Sequence, residues 1–472
     1  MLPLALADIA RIVHGELHDV PNPSARVSAP LVFDSRQAET GSLFLALTGE
    51  HTDGHAHAQG AVERGAVAAL TTRPVGVPAI VVPHVLDAAG LIAQHVIADL
   101  TATVIAVTGS AGKTSTKDLI AHLLTAAGPT VATAQSYNNE IGLPVTASRA
   151  DADTRFLVLE MGARHIGDIA SLARLAPPQV SVVLNVGSAH VGEFGGKEQI
   201  ARAKGELVEA LPASGLAVLN ADDVLVRAMA DRTTARVITF GLHPDATIRA
   251  ENVHIDADGR PRFDLVTPEG RARVAMRMLG EHQVSNALAA AAVAREAGLP
   301  VDRIAELLGE ATVQSRWRME VTTRPDEVTV VNDSYNANPD AMRVSLRAVA
   351  SMGGGKDRRT IAVLGEMREL GDESRTAHEQ VGTAAGTLGY DHVISIGGTE
   401  AQWMAEAARA AGAGTAHHVP DQDAAQLLLD GLLRPGDIVL FKASRGVGLE
   451  ALVQKVLESD TAATTQGVLA AD

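Results

Sequence analysis

The chain has 472 residues, 46% of them hydrophobic and 20% charged, with a formal charge of -16 and no cysteine. That length suits two to four domains of about 150 residues each, in the composition range of ordinary globular proteins. Lack of cysteine excludes a disulfide framework, a thiolate metal site and a cysteine nucleophile; the acidic balance, with only 7 Phe, 3 Tyr and 2 Trp, argues against a nucleic-acid binder, which needs clustered cations and stacking rings.

The opening MLPLALADIARIVHG lacks the basic and cleavable pattern of a secretion signal, and no run of about 18 apolar residues follows anywhere, so a cytosolic enzyme or binding protein without membrane insertion is expected. The first block, residues 1–98, carries strand-like SLFLAL (Ser42 to Leu47) and AIVVP (Ala79 to Pro83) around the turn-rich TGEHTDGHAHA. From residue 99 to 314 short β-branched runs alternate with amphipathic helices: TVIAVTG, a helix from Lys113 to Ala127, RFLVLEMG, a helix near Ile166 to Leu175, and QVSVVLNVG. Such alternation predicts a parallel sheet covered on both faces. A long helix beginning near Glu281 should stop at Gly298, before Pro300. A second α/β series fills 315–458 (EVTVVNDSYNANPDAM, RTIAVLGEM, DHVISIGG, DIVLFKASRG), and 459–472 reads as a frayed tail. The fold class is therefore α/β in three domains.

The informative stretch is VTGSAGKTS. After the strand VIAV, Gly109, Ser110, Ala111 and Gly112 allow backbone amides to curl round a phosphate, Lys113 meets its charge, and Thr114 and Ser115 open a helix whose positive end faces the anion. The common form is GxxxxGK[ST]; here it is GxxGKT, and a strand-to-helix turn that happens to contain Gly-Lys-Thr remains an alternative. Two further strands end in groups suited to a hard cation: FLVLE in Glu160, and SVVLNVGSAH running on to His190. Converging with Thr114 on one sheet edge, they would form a Mg²⁺ site for ATP phosphates, although a lone histidine is more often structural. Lys204, in ARAKGELVEAL, reads by itself as a solvated surface lysine.

Together, VTGSAGKTS, NNEIGLP, LEMGARHIGDI, NVGSAHVGEFG, AKGEL, LNADD, GEHQVSNALAA, RWRMEV and VNDSYNANPDAM resemble the Mur ligases of peptidoglycan synthesis, three-domain enzymes that form amide bonds with ATP. The short GxxGKT loop is that family's form, and the matches run in order from residue 34 to about 450. The resemblance implies an N-terminal UDP-sugar-binding domain, a central ATPase domain and a Rossmann-like last domain. NNEIGLP, DSYNANP, VLGEMRELG and FDSRQAETGSLFLALTGEHTDGH are most similar to the ligase that joins D-alanyl-D-alanine to UDP-N-acetylmuramoyl-tripeptide; both substrates are small molecules, and a monomer is expected.

The resemblance also implies roles. Lys113 and the loop amides would hold the β- and γ-phosphates, Thr114 and Glu160 one Mg²⁺, and His190 a second, helped by Lys204 if that lysine is carbamylated. Asn286, Asp333, Tyr335 and Asn336 would meet adenosine, and Arg316, preceded by Ser315 where the family often has glycine, would reach the γ-phosphate. Ser35, Arg36, Thr48, Asp53, Gly54 and His55 match the UDP pocket, Asn138 and Asn139 lie near the muramoyl-peptide, and Ser444 and Arg445 near the dipeptide. Two other readings stay open: another amino-acid ligase of the superfamily, such as the third-residue ligase or a folyl-polyglutamate synthetase, and a nucleotide-switched protein without ligation. The extra metal-ligand candidates favour catalysis, since a switch needs no second Mg²⁺ site.

Overall fold

The computed structural model describes residues 1–49, 52–187, 194–353 and 358–459. Each of the three blocks builds its own sheet. In the first, Leu31–Val32, Leu43–Leu45, Ala68–Thr71 and Ala79–Val81 run parallel in that spatial order, and Glu16–His18 pairs antiparallel at the far edge. Helices Leu6–Ile12 and Val85–Asp99 cover it through Leu6, Ile9, Ile92 and Val96.

The central sheet has nine strands. From one edge the order is Thr130–Ala132, Phe156–Glu160, Thr103–Thr108, Val180–Val183, Leu216–Asn220, Arg236–Gly241 and Ile248–Ile255, all parallel, followed by the antiparallel Pro261–Thr267 and Gly270–Ala275. After Thr103–Thr108 the chain winds first to one side and then, at Val180–Val183, to the other. The carboxyl end of Thr103–Thr108 is thus a topological switch point, where a crevice opens for a ligand. These strands are apolar on both faces because helices cover both: Lys113–Thr125 and His282–Glu296 on one, Asp168–Leu175 and Lys197–Glu209 on the other. The alanines of NALAAAAVA, all fully buried, let the helix His282–Glu296 press closely on the helix Lys113–Thr125.

The helices are shorter than the sequence pattern suggests: Lys113–Thr125 rather than to Ala127, from Asp168 rather than Ile166, and His282–Glu296 rather than Glu281 to Gly298. Glycine sets two of these limits. Gly167, at φ 99°, precedes Asp168, and Gly298, at φ 89°, turns the chain out of the helix.

The last sheet runs Glu320–Thr323, Thr329–Asn332, Ile438–Lys442, Thr360–Gly365, His392–Ile396 and Thr415–Val419, with only the first strand antiparallel. Asn338 caps the helix Pro339–Met352 by accepting from the Ala341 amide at 2.9 Å, with Pro339 in its first turn. No helix among the described residues is long and apolar enough to cross a membrane.

Candidate functional site

The loop after Thr103–Thr108 is held open from beneath. Asn185, just past Val180–Val183, accepts from the Ala111 amide at 2.9 Å and donates to the Ala111 carbonyl at 3.1 Å, while its own carbonyl takes the Ser110 amide. Gly112 has φ 80°, and a Cβ there would lie 2.6 Å from Asn286 Oδ1, so both its conformation and its neighbour require glycine. The helix that follows has no side-chain cap, and its first amides face the cavity, an anion site by construction. Lys113 Nζ folds back onto the Gly109 carbonyl at 2.8 Å. Removal from bulk water lowers its pKa; Glu160 opposes that shift and Arg318 adds to it.

Register places Glu160 beside this loop, paired with Val107 across the sheet. The carboxylate is almost fully buried; Oε2 accepts from Thr114 Oγ1 at 2.8 Å and Oε1 from Asn138 Nδ2 at 2.7 Å. Ser136 Oγ lies 2.8 Å from Thr114 Oγ1 and accepts from Arg318 at 2.6 Å. A hydroxyl, a carboxylate and a second hydroxyl thus meet within hydrogen-bond distance at the foot of the phosphate loop. Among the described residues no group of three His, Asp or Glu side chains could hold a metal by itself.

Opposite this loop stands the last domain, and the space between encloses about 470 Å³. The loop residues 110–115, Asn138, Glu160, Asn286, Asp333, Tyr335 and Asn336 all line it, brought from sequence positions more than 200 residues apart. Asn286 accepts from Thr116 and donates to Gln283. Asp333 is braced from three sides, by the Met319 amide at 3.1 Å, Ser345 Oγ at 2.6 Å and Lys442 Nζ at 2.5 Å. His282 lines the same space, and burial pushes its pKa down to about 4, Asp333 opposing and Lys442 and Arg347 reinforcing. Its ring is neutral near pH 7.

Arg318 lines this chamber, as does Arg164, whereas Arg316 is exposed outside it. Arg318 lies 4.2 Å above the Tyr335 ring and reaches Ser136 across the domain boundary, and its Nε is buried without a hydrogen-bond partner among the described residues. The reason is local: Trp317 at φ 62° and Met319 at φ 53° turn the backbone on either side of Arg318.

A second cavity of about 660 Å³ adjoins the first, with Ser110, Lys113, Asn138 and Arg164 in both walls. Gly109, Asn139 and Lys204 line it, with Asp87 contributed by the N-terminal domain. Asn139 Oδ1 accepts from the Gly142 amide at 3.1 Å, so it shapes the turn into the helix Gly142–Ala147. Lys204 is no surface lysine: only 4% is exposed, and burial, then the nearby charge of Lys113, hold its pKa well below the usual lysine value. Two residues on, Glu206 accepts from the Gly167 and Ala170 amides at 2.6 and 2.9 Å, fixing the wall opposite. His190 lies outside the described residues.

The remaining sequence candidates line neither cavity. Thr48 bridges to Asp53, and Asp53 Oδ1 holds His55 Nδ1 at 2.6 Å while His55 Nε2 accepts from the Thr72 amide at 3.1 Å. Gly54 sits so close to Leu47 that a Cβ would lie 2.6 Å from its carbonyl oxygen. Arg36 is exposed and paired with Asp34 at 2.8 Å, in the 3₁₀ turn that begins at Ser35. Two residues before this turn, the Phe33 ring meets Tyr137 of the central domain edge-on at 5.7 Å. In the last domain Ser444 accepts from the Arg368 amide at 2.9 Å, and Arg445 pairs with Glu450 and lies 4.4 Å over the Trp317 ring.

Sequence reading passes over Ser136, Asn185, Arg318 and Lys442. Asn185 stands in LNVG and Lys442 closes the strand IVLFK, both at strand ends facing the site, a placement that could have flagged them. Ser136 has no local signal, because its role exists only where three segments meet.

The chain matches three family descriptions: Mur ligase family, catalytic domain over residues 31–103, Mur ligase middle domain over 107–294, and Mur ligase, glutamate ligase domain over 317–445. The UDP-N-acetylmuramoyl-tripeptide--D-alanyl-D-alanine ligase of Mycobacterium bovis is 45% identical over 98% of this chain and 99% of its own. Among solved structures, MurF from Acinetobacter baumannii superposes with a TM-score of 0.85 at 29% identity, covering 97% of this chain and 99% of that one. MurF from Thermotoga maritima, in complex with ADP, does so at 0.78 and 29%, over 92% and 98%. A short phosphate loop at the switch point of the central sheet, closed over by a third α/β domain and matched along nearly its whole length, places this chain in the Mur ligase family.

Proposed function

We propose that this chain is the ATP-dependent ligase that joins D-alanyl-D-alanine to UDP-N-acetylmuramoyl-tripeptide, releasing ADP and phosphate. The observation that carries the reading is the shared wall of two chambers. Lys113 belongs to both, and Glu160 ties Thr114 on the nucleotide side to Asn138 on the other. A phosphoryl group held in the first chamber thereby faces whatever carboxylate enters the second.

The tripeptide carboxylate attacks the γ-phosphorus of ATP and ADP leaves; the dipeptide amine then attacks the acyl carbon, forming the amide, losing a proton and expelling phosphate. Such chemistry needs charge neutralisation and alignment more than a protein nucleophile. Lys113, the loop amides from Gly109 to Ser115 and Arg318 neutralise the phosphates; Arg318 Nε, buried with no hydrogen-bond partner among the described residues, is placed to meet an oxygen. Asn286, Asp333, Tyr335 and Asn336 hold adenosine. Ser35, Arg36, Thr48, Asp53, Gly54 and His55 take the UDP end, Asn138 and Asn139 the muramoyl-peptide, and Ser444 and Arg445 the dipeptide.

The oxygen donors Thr114, Glu160 and Ser136 fit Mg²⁺, which is bound through few protein ligands and completed by phosphate and water. When bound, the ion neutralises phosphate charge and so favours phosphoryl transfer. A second ion would draw on His190 and on Lys204 as its carbamate. Carbon dioxide adds only to a neutral amine, and the depressed pKa of Lys204 supplies one. The protein acts as a monomer in the cytoplasm.

The test is phosphate release from ATP with UDP-N-acetylmuramoyl-tripeptide and D-alanyl-D-alanine. Release should require both and yield the pentapeptide; release indifferent to the dipeptide rules the reading out. In the same assay Arg318→Ala should lower kcat by about a hundredfold or more, as expected on losing a donor to the transferring phosphoryl group, whereas Arg316→Ala, exposed outside the chamber, should stay within about threefold of the parent.

A further inference from the structure

The polypeptide passes from the central to the last domain across very few residues. Ser315 Oγ donates to Asp118 Oδ2 at 2.7 Å, which anchors it to the phosphate-loop helix. Two residues later the chain already belongs to the last domain: the Tyr335 amide donates to the Trp317 carbonyl at 3.2 Å, the Trp317 amide to Glu320 Oε2 at 3.2 Å, and the Met319 amide to Asp333. Only the exposed Arg316 lies between the two anchors.

Trp317 has φ 62°, a left-handed conformation that a bulky residue adopts only where its surroundings impose it. Those surroundings are visible. Its ring faces the Arg445 guanidinium at 4.4 Å, and Arg445 is held from behind by Glu450. Next in the chain, Arg318 repeats the arrangement against Tyr335 at 4.2 Å. Two cation–π contacts therefore lace consecutive linker residues to the last domain, with opposite partners. The direction in which Arg318 leaves the backbone depends on the dihedral angles at Trp317.

We propose that Trp317 is a positioning residue: pinned by Arg445 in a left-handed conformation, it makes the linker a rigid part of the last domain and aims Arg318 at the phosphate loop. Arg318 is thereby held in the chamber as a fixed part of the last domain. The inference rests on the proposed function only in taking phosphate as the anion that Arg318 meets.

Glycine and phenylalanine at 317 separate orientation from bulk. Trp317→Gly adopts the left-handed angle without strain but lacks the ring; Trp317→Phe keeps a ring for Arg445. With ATP, UDP-N-acetylmuramoyl-tripeptide and D-alanyl-D-alanine, Trp317→Gly should lower kcat by roughly ten- to a hundredfold through misplacement of Arg318. Its KM for the tripeptide should be little changed and its melting temperature not reduced, and Trp317→Phe should recover most of the rate. A parent-like kcat in Trp317→Gly, or an equal loss in Trp317→Phe, overturns the proposal.

A second readout is independent of ligation. In Trp403→Phe, Trp317 is the sole tryptophan, and its emission should shift on adding ATP with Mg²⁺ and lose that shift when Arg318→Ala is combined. No shift, or one unaffected by Arg318, also overturns it. If the parent forms no pentapeptide, the functional reading fails while this measurement still decides the role of Trp317.

Discussion

Lys113→Ala is expected to lower kcat by on the order of a thousandfold, about 4 kcal/mol of transition-state stabilisation. The reasoning is positional. Lys113 lines both chambers, as Arg164 does, but sits in the phosphate loop itself, where its ammonium donates to the Gly109 carbonyl. Only a small reorientation of Nζ is needed to meet a phosphate. Lys113→Arg should not restore the rate, because a planar, forked guanidinium is not equivalent to the compact point charge of an ammonium. Since its hydrogen bond among the described residues is a single one to a loop carbonyl, the melting transition of Lys113→Ala should match the parent. Phosphate release within tenfold of the parent in Lys113→Ala would remove the central assumption about which group neutralises the transferring phosphoryl.

The second large effect concerns Lys204. An exposed lysine is cationic until about pH 10.4; burial and the neighbouring Lys113 move the Lys204 titration well below that, so the neutral amine prevails at lower pH than usual. Acidification through the shifted value restores the ammonium and, with it, loses the carbamate. The carbamate reading therefore expects activity to fall on the acid side, to fall in carbon-dioxide-depleted buffer at constant pH, and to return with bicarbonate. On that reading Lys204→Ala and Lys204→Arg should each lose about a hundredfold or more, because neither would form a carboxylate to help hold a second ion, and bicarbonate should rescue neither. Arginine is the informative variant. If only positive charge mattered, Lys204→Arg would retain turnover, and the carbamate would have no part in the reaction.

Much of this site was visible in the residues themselves. Gly109 to Thr114, Glu160 and Asn286 each sit at a strand end or on a helix face that local pattern predicts, and local pattern is what backbone dihedral preference and apolar periodicity encode. The choice between Arg316 and Arg318 was not visible. Both arginines stand in QSRWRME, two residues apart, and their propensities are identical; what separates them is the pair of left-handed residues around Arg318, held by Tyr335, Asp333 and Arg445 from remote parts of the chain. Lys204 shows the same divide. Its helix, Lys197–Glu209, is legible, yet a lysine on a helix is ordinarily solvated, and only the packing of that helix beneath the second chamber buries its amine.

The sequence by itself determined the α/β class, the phosphate loop and the family resemblance, because these depend on short-range spacing of glycine, apolar and charged residues. Tertiary structure alone decided which groups converge: the Thr114, Ser136 and Glu160 cluster, the two chambers sharing Lys113, and the arginine that crosses between domains. Those depend on strand register and on how one domain is seated against another, and both are set by the summed burial of many residues, none of which carries the information alone.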